Sequence, residues 1–394
     1  MRPLKEKKKT VGLITVMRAN YGSALQTFAL YNIINELGYK CIIINHNYPT
    51  VYHLKNALGN EFNPSQNIFN PKVFIRKCKS LIKHIIRIYL KRKFPKDKSK
   101  ELLETFLKNE CQLTEKCYDK DSIIQTPPVF DIYVTGSDQV WNPRYCYKDY
   151  TFLLNFTRDE QRRIAYAASF GSKKLLPEFK KDYSMLLSRY RFVSTRERSG
   201  TTLFKELTGK EAEYCLDPTM LLTKEMWHHF ANHNENLRNE KYILCYIQNY
   251  AFSPYPYVDK LIKQIKKLTG YKVKIITQDV YDVTKGYEVQ YNVGPKDFLD
   301  LYENASFVVA CSFHAIVFSL IMRKPFIAIM NNQKTNDDRQ ANILHEFNLE
   351  KYSYKVGSPL PQNLEDLNIN YEAIDKQIEE LRNSSLNYLK KALS

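Results

Sequence analysis

Four short stretches of this chain put chemically able side chains where an apolar run gives way to polar residues. Asp131-Ile-Tyr-Val-Thr-Gly-Ser-Asp-Gln-Val-Trp-Asn142 carries a dense polar cluster directly behind a strand-like run. A turn there needs Gly136. It does not need Ser137, Gln139, Trp141 and Asn142 together, a set suited to holding a sugar through an indole face and hydrogen bonds. Asp138 adds a carboxylate able to accept a proton. Arg18-Ala-Asn-Tyr-Gly-Ser-Ala-Leu-Gln26 also follows a strand and opens a helix. Asn20, Tyr21, Gly22 and Ser23 therefore fall where unpaired backbone N–H groups and the helix dipole attract anions. The same residues suit a plain β–α turn, with Gly22 supplying the backbone angle and Ser23 the N-cap.

Ser194-Thr-Arg-Glu-Arg-Ser199 follows another strand, and alternation along it turns Arg196 inward more readily than Arg198. A planar guanidinium grips a carboxylate or phosphate at two points. In Ser312-Phe-His-Ala315, His314 stands between a very apolar strand and an apolar helix. A lone histidine there is more often a satisfied core group, yet a group titrating near neutrality at the carboxyl end of a strand also suits proton transfer or ligand binding.

No metal set accompanies these residues. His228, His229 and His233 lack the acidic partner of an H-E-x-x-H helix, and Asp119-Lys-Asp121 matches a D-x-D only formally. Neither a phosphate-binding G-x-x-x-x-G-K-[ST] loop nor a dinucleotide G-x-G-x-x-G occurs. The reading is an enzyme with no metal and no cofactor.

The elements that must position these groups read as strand, tight loop, helix and strand: Val11–Val16, a helix over Ser23–Leu37 stopped by Gly38, then Cys41–Asn45. Such a βαβ unit implies a parallel sheet with right-handed crossovers. Asp131–Thr135, Arg163–Ala168 and Phe192–Thr195 fit the same sheet. The apolar pattern lapses near Asn234–Glu240 and resumes with Tyr242–Gln248, a helix over Tyr257–Leu268 and a strand over Tyr271–Thr277. Pro295–Glu303, Phe307–Cys311, His314–Met322 and Pro325–Met330 continue the alternation of helix and strand. The expectation is an α/β chain with a first domain over residues 1–234 and a second over 235–394, the latter including a terminal helix. An insertion in the first domain spans about 52–126.

The chain has 394 residues, 44% hydrophobic and 26% charged, which is ordinary globular composition for two domains. Its net charge of +17 favours anionic partners. The excess is concentrated, since Asp97 is the only acid between Lys72 and Lys100. There Arg76, Lys77, Lys79, Lys83, Arg87, Lys91, Arg92 and Lys93 share a helical stretch with the apolar row Phe74, Cys78, Leu81, Ile85, Ile88 and Tyr89. Either that row packs on the body and the cations are its solvated face, or the helix lies on an anionic membrane surface. No aromatic stacking motif accompanies the charge, so nucleic acid is not expected as a partner. Eight cysteines without a C-x-x-C pair read as buried thiols. With no signal-peptide core and no membrane span, the expected location is the cytoplasm, with peripheral contact at the inner face of the membrane as the second reading.

Taken together, Asn20-Tyr-Gly-Ser-Ala-Leu-Gln26, Gly136-Ser-Asp-Gln-Val-Trp-Asn142, Tyr166-Ala-Ala-Ser-Phe-Gly171, Ser194-Thr-Arg-Glu197, Leu216-Asp-Pro-Thr-Met-Leu-Leu222 and Ser312-Phe-His314 resemble, in order, the polysaccharide pyruvyl transferase family. The resemblance implies two Rossmann-like domains about a cleft, as in GT-B glycosyltransferases. It also implies transfer of a pyruvyl group from phosphoenolpyruvate to a sugar or lipid-linked glycan acceptor, forming a ketal. Carried over, Arg196 would bind the donor anion and His314 would sit beside the reacting carbons. Ketal-forming members often have Arg-x-His where this chain has Ser312 before His314; Arg339 could supply the missing charge. Two rival readings stay open. One is a nucleotide-sugar glycosyltransferase, whose E-x₇-E spacing is met by Glu372 and Glu380 only in a terminal polar helix. The other is a non-catalytic glycan-assembly protein.

Overall fold

The computed structural model describes residues 8–17, 20–47, 82, 85–86, 89, 97–146, 148–158, 162–248, 252–276, 285–332, 337–363 and 365–394. β1 (Thr10–Ile14) is buried along nearly its whole length and leads into α1 (Tyr21–Glu36), after which β2 (Lys40–Ile43) pairs parallel to β1. The chain then crosses to the other side of β1 and adds β3 (Ile132–Thr135), β4 (Arg163–Ala168), β5 (Phe192–Thr195) and β6 (Glu213–Tyr214). All neighbours in this six-stranded sheet, ordered β2-β1-β3-β4-β5-β6, run parallel. Continuous apolar runs such as Ile132–Val134 are what a sheet covered on both faces requires.

A second six-stranded parallel sheet comprises β7 (Tyr242–Tyr246), β8 (Lys272–Ile276), β9 (Glu288–Val289), β10 (Phe307–Ala310), β11 (Phe326–Met330) and β12 (Ser353–Lys355). Its order, β12-β11-β10-β7-β8-β9, is the doubly wound pattern in which the chain starts at the centre, runs to one edge and returns to build the other side. Each sheet thus has a switch point, between β1 and β3 in the first and between β7 and β10 in the second, where connections leave in opposite directions and open a crevice. These are two Rossmann-like domains, the architecture anticipated from the alternating pattern.

Helices join the halves as well as covering them. α2 (Ser99–Glu110), within the expected insertion, packs Phe106 on Phe28 of α1, while Ser99 Oγ accepts from the Val293 N–H of the second domain. Among the described residues, six further helices of eight or more residues follow: α3 (Pro177–Leu187), α4 (Arg198–Thr208), α5 (Tyr257–Thr269), α6 (Pro295–Asn304), α7 (Phe313–Ile321) and α8 (Arg339–Glu346). The chain closes with α9 (Tyr371–Leu393). It starts against the second domain, where Tyr371 donates to Lys324 O, and ends on the first, where Tyr388 donates to Ala165 O of β4. Arg382 and Ser385 on the same helix bond Met220 O and Leu216 N. The terminal helix is therefore a strap across both domains. Of the basic segment, Ile82, Ile85 and Tyr89 are helical and exposed, and the cations between Arg76 and Lys93 lie outside the described residues, as does Arg18.

Candidate active site

At the first switch point, Asn20 caps α1 by accepting from Ser23 N, and the Ser23 hydroxyl donates to Asp138 Oδ2 at 2.6 Å. Asp138 comes from the loop after β3 and holds a left-handed backbone, φ 68°, a conformation that Asp tolerates better than most residues and that gathers at functional sites. Burial opposes its charge, but Arg196, His314 and the Ser23 hydroxyl together hold its carboxyl below the usual range.

Arg196, just past β5, is turned inward as alternation along the strand predicts and is 3% exposed. Its guanidinium is largely committed: Nε donates to Glu197 Oε1 at 3.1 Å and Nη1 to Asp217 Oδ2 at 2.9 Å. Nη2 lies 3.7 Å from Asp138 Oδ1 and has no hydrogen-bond partner among the described residues. The ring of Phe313 covers one face, 4.2 Å from the guanidinium carbon. Three buried carboxylates thus surround one cation. Burial pushes the Glu197 carboxyl up despite Arg196, whereas Asp217, equally buried, is held far down by His314, Arg196 and the Thr219 N–H.

The second domain contributes through α7 (Phe313–Ile321), which starts immediately after β10 with Ser312 as N-cap, its hydroxyl accepting from Ala315 N. His314 in the first turn is 8% exposed and reaches into the first domain. Its Nε2 stands 3.5 Å from Asp217 Oδ2 and makes no hydrogen bond among the described residues, and its Nδ1 edge lies against Gly22 of α1. Ser23, Asp138, Arg196, Asp217 and His314 therefore converge at the junction of the two switch points. Beside them, a pocket is lined by Gln248, Phe252, Ser312, Phe313, Asn331 and Arg339. Arg339 opens α8 (Arg339–Glu346) and lines this pocket, and its Nε and Nη2 donate to the two oxygens of Asp337.

Several expected site residues lie elsewhere. Trp141 is fully buried, its ring tilted against Phe170 at 5.1 Å and edge-on to Tyr190 at 5.8 Å, so it packs on protein and offers no sugar platform. Gln139 Oε1 accepts from Asn142 Nδ2, and both amides close over Gly171, where a Cβ would come within 2.6 Å of each. Ser137 donates to Asp217. The acceptor contacts expected of these four side chains are thus spent inside the first domain. Tyr21, expected beside the donor, is a joint between domains: its hydroxyl donates to Val293 O and its ring stacks at 4.6 Å on Phe298 of α6 (Pro295–Asn304).

Asp217, Glu197 and the pocket residue Gln248 went unselected in the sequence. A readable signal existed for Asp217: an acid immediately before Pro218, just past the β6 segment. Glu197 was hidden because it looks like part of a solvated charged turn. His228 pairs with Glu303, and Asp119 caps a local turn by accepting from Ser122 N.

Comparison with solved structures finds UDP-GlcNAc 2-epimerase of Methanocaldococcus jannaschii, 12% identical, with 95% of this chain and 94% of that one covered and a TM-score of 0.46. It also finds the E. coli heptosyltransferase WaaC, 12% identical, 94% and 99% covered, TM-score 0.40. Arabidopsis thaliana UGT89C1 is 9% identical, 98% and 100% covered, TM-score 0.47. At such identities the likeness says nothing about what this chain binds. No curated protein matches it by sequence. The family model for polysaccharide pyruvyl transferase, however, matches residues 20–333, from the N-cap of α1 onward, which takes in every residue of the converging cluster. The chain belongs to the polysaccharide pyruvyl transferase family.

Proposed function

We propose that this protein transfers a pyruvyl group from phosphoenolpyruvate to two hydroxyls of a sugar in a glycan precursor, forming a ketal, in the cytoplasm. The observation that carries the reading is the meeting of His314 from the second domain with Asp138 and Arg196 from the first. Phosphoenolpyruvate needs a cation and oriented N–H groups for its charges, a proton for its methylene carbon, and a base for the attacking hydroxyl. Arg196 Nη2 and the start of α1 supply the first, His314 the second and Asp138 the third. The proton passes from His314 to the methylene carbon, a sugar oxygen bonds the adjacent carbon, and Asp138 takes that hydroxyl's proton. A second hydroxyl then displaces phosphate, its proton returning to His314 while that on Asp138 leaves with phosphate. With Ser137, Gln139, Trp141 and Asn142 turned inward, the acceptor sugar enters the pocket beside Ser312, where Gln248, already bonded to Asn20 and Tyr246, keeps a second amide hydrogen and lone pair for a hydroxyl and the rings of Phe252 and Phe313 face the sugar's apolar side.

Phosphate release from phosphoenolpyruvate, measured with a panel of p-nitrophenyl hexopyranosides as acceptors, tests this. Release that requires an acceptor and falls ~10²–10⁴-fold in His314→Ala and His314→Gln is expected. Thermal stabilisation by UDP- or GDP-sugars but not by phosphoenolpyruvate would instead select a nucleotide-sugar glycosyltransferase.

The exposure of Ile82, Ile85 and Tyr89, three apolar side chains at helical spacing amid a run of cations, supports the membrane reading of the basic segment. Co-sedimentation with liposomes should require anionic lipid and weaken with salt. No helix among the described residues is long and apolar enough to cross a membrane.

A further inference from the structure

We infer that Asp217 is the positioning residue of His314: it holds the proton on Nε2 and so turns Nδ1, the nitrogen beside Gly22, toward the donor. The inference rests on the reading of His314 as the proton source. Three features of the structure lead to it. Asp217 has a side chain with no solvent exposure, and its two oxygens are divided between tasks. Oδ1 accepts from the backbone N–H and the hydroxyl of Thr219, at 3.0 and 2.8 Å, which fixes the carboxylate to its own turn over Pro218–Met220. Oδ2 accepts from Arg196 Nη1 and from the Ser137 hydroxyl and faces His314 Nε2 at 3.5 Å.

A carboxylate held this firmly cannot follow the ring; the ring must come to it. Among the described residues His314 Nε2 is enclosed and has no hydrogen-bond partner, and the acceptor that faces it is Asp217 Oδ2 at 3.5 Å. A few tenths of an ångström of ring movement turns the approach into a hydrogen bond, the kind of tightening that substrate binding brings to catalytic contacts. Because an imidazole's two nitrogens divide their roles, a carboxylate that accepts from one leaves the other to carry proton traffic. The other is Nδ1, and it lies over the first turn of α1, where backbone N–H groups gather an anion. Asp217 thereby ties the acid to Arg196, since one oxygen touches both. It is not itself a catalytic residue, because it touches neither substrate.

The test uses the full chain with ¹⁵N-labelled histidine, the His314 signals being those lost in His314→Gln. In the wild type the neutral ring of His314 should carry its proton on Nε2. Asp217→Asn, whose amide can donate to Nε2, should move it toward Nδ1 while the melting curve remains cooperative. Turnover with phosphoenolpyruvate should fall by ~10²–10⁴ in the same variant, and Asp217→Glu should recover part of it. A wild-type ring protonated on Nδ1, or one whose tautomer is the same in Asp217→Asn, overturns the inference. Should Asp217→Asn fail to fold, the wild-type tautomer still decides. A protein with the expected tautomers but no phosphoenolpyruvate-dependent phosphate release would retain the Asp217–His314 pairing and lose the pyruvyl-transfer reading.

Discussion

His314 of the second domain occupies the space that a side chain on Gly22 of the first would need: a Cβ built on Gly22 comes 2.2 Å from His314 Nδ1 and 2.3 Å from Cγ. The glycine at the start of α1 is thus explained by close approach across the domain junction, since its backbone φ is not among the positive values.

Gly22→Ala should therefore displace the imidazole. The contact involves the ring near its attachment, not the far end of a flexible chain, so we expect a loss of ~1–3 kcal/mol in unfolding free energy together with loss of turnover. Combining it with His314→Ala should return most of the stability but none of the activity, read as a double-mutant cycle by urea denaturation. Additive losses would show that the two residues do not compete for the same space.

Arg196 serves the interior before it serves a ligand. Arg196→Ala leaves Asp217, Glu197 and Asp138 buried around an empty place, which should cost ~3–5 kcal/mol in stability besides any effect on donor binding. Arg196→Lys should fail similarly, because an ammonium cannot address Glu197 and Asp217 from two edges. Arg198 makes an equally good two-point contact with Glu346 of α8, at 2.7 and 2.8 Å, yet its side chain is 59% exposed. Arg198→Lys should change stability by under ~1 kcal/mol and leave the Michaelis constant for phosphoenolpyruvate near wild type. Equal effects at the two positions would refute this division.

Trp141→Ala should behave as a core mutation. Losing the fully buried indole should cost ~3–5 kcal/mol, seen as a lowered denaturation midpoint. Trp141→Phe should retain acceptor Michaelis constants. A selective rise in those constants without loss of stability would restore the indole as a sugar contact.

Lys324, just before β11, supplies a pH signature. Burial, with Lys224 nearby and only Glu303 in opposition, holds its ammonium down to about 8 from the usual 10.5. Between those values the unfolded chain binds the proton that the folded chain has released, so stability falls as pH is lowered through that window and stays low beneath it. Lys324→Met should raise the melting midpoint at pH 7, by the equivalent of ~1.4 kcal/mol or more, and lose that advantage near pH 11. An advantage that is unchanged across this range would place its origin in packing instead.

The sequence alone determined the two parallel sheets, because buried parallel strands leave uninterrupted apolar runs and the polar stretches that follow them mark the carboxyl ends where ligands bind. It also singled out Asp138, Arg196 and His314, each a polar group too costly to place behind such a strand without a partner, and the fold brings the three together. What a linear pattern cannot carry is the partner's identity. Trp141, Gln139 and Asn142 look like a ligand surface because their types suit one, but Phe170, Tyr190 and Gly171, which enclose them, come from other loops and strands. Arg196 looks available until Glu197 and Asp217 close on it. Asp217 itself gains its place only when β6 lies beside β5 and α7 arrives from the other domain. Short strands such as β6, β9 and β12 have too few residues to show a period, and α9 reveals its path across both domains only through Tyr388 and Arg382. Those decisions rest on long-range contacts, which are set by packing and charge pairing in the folded chain.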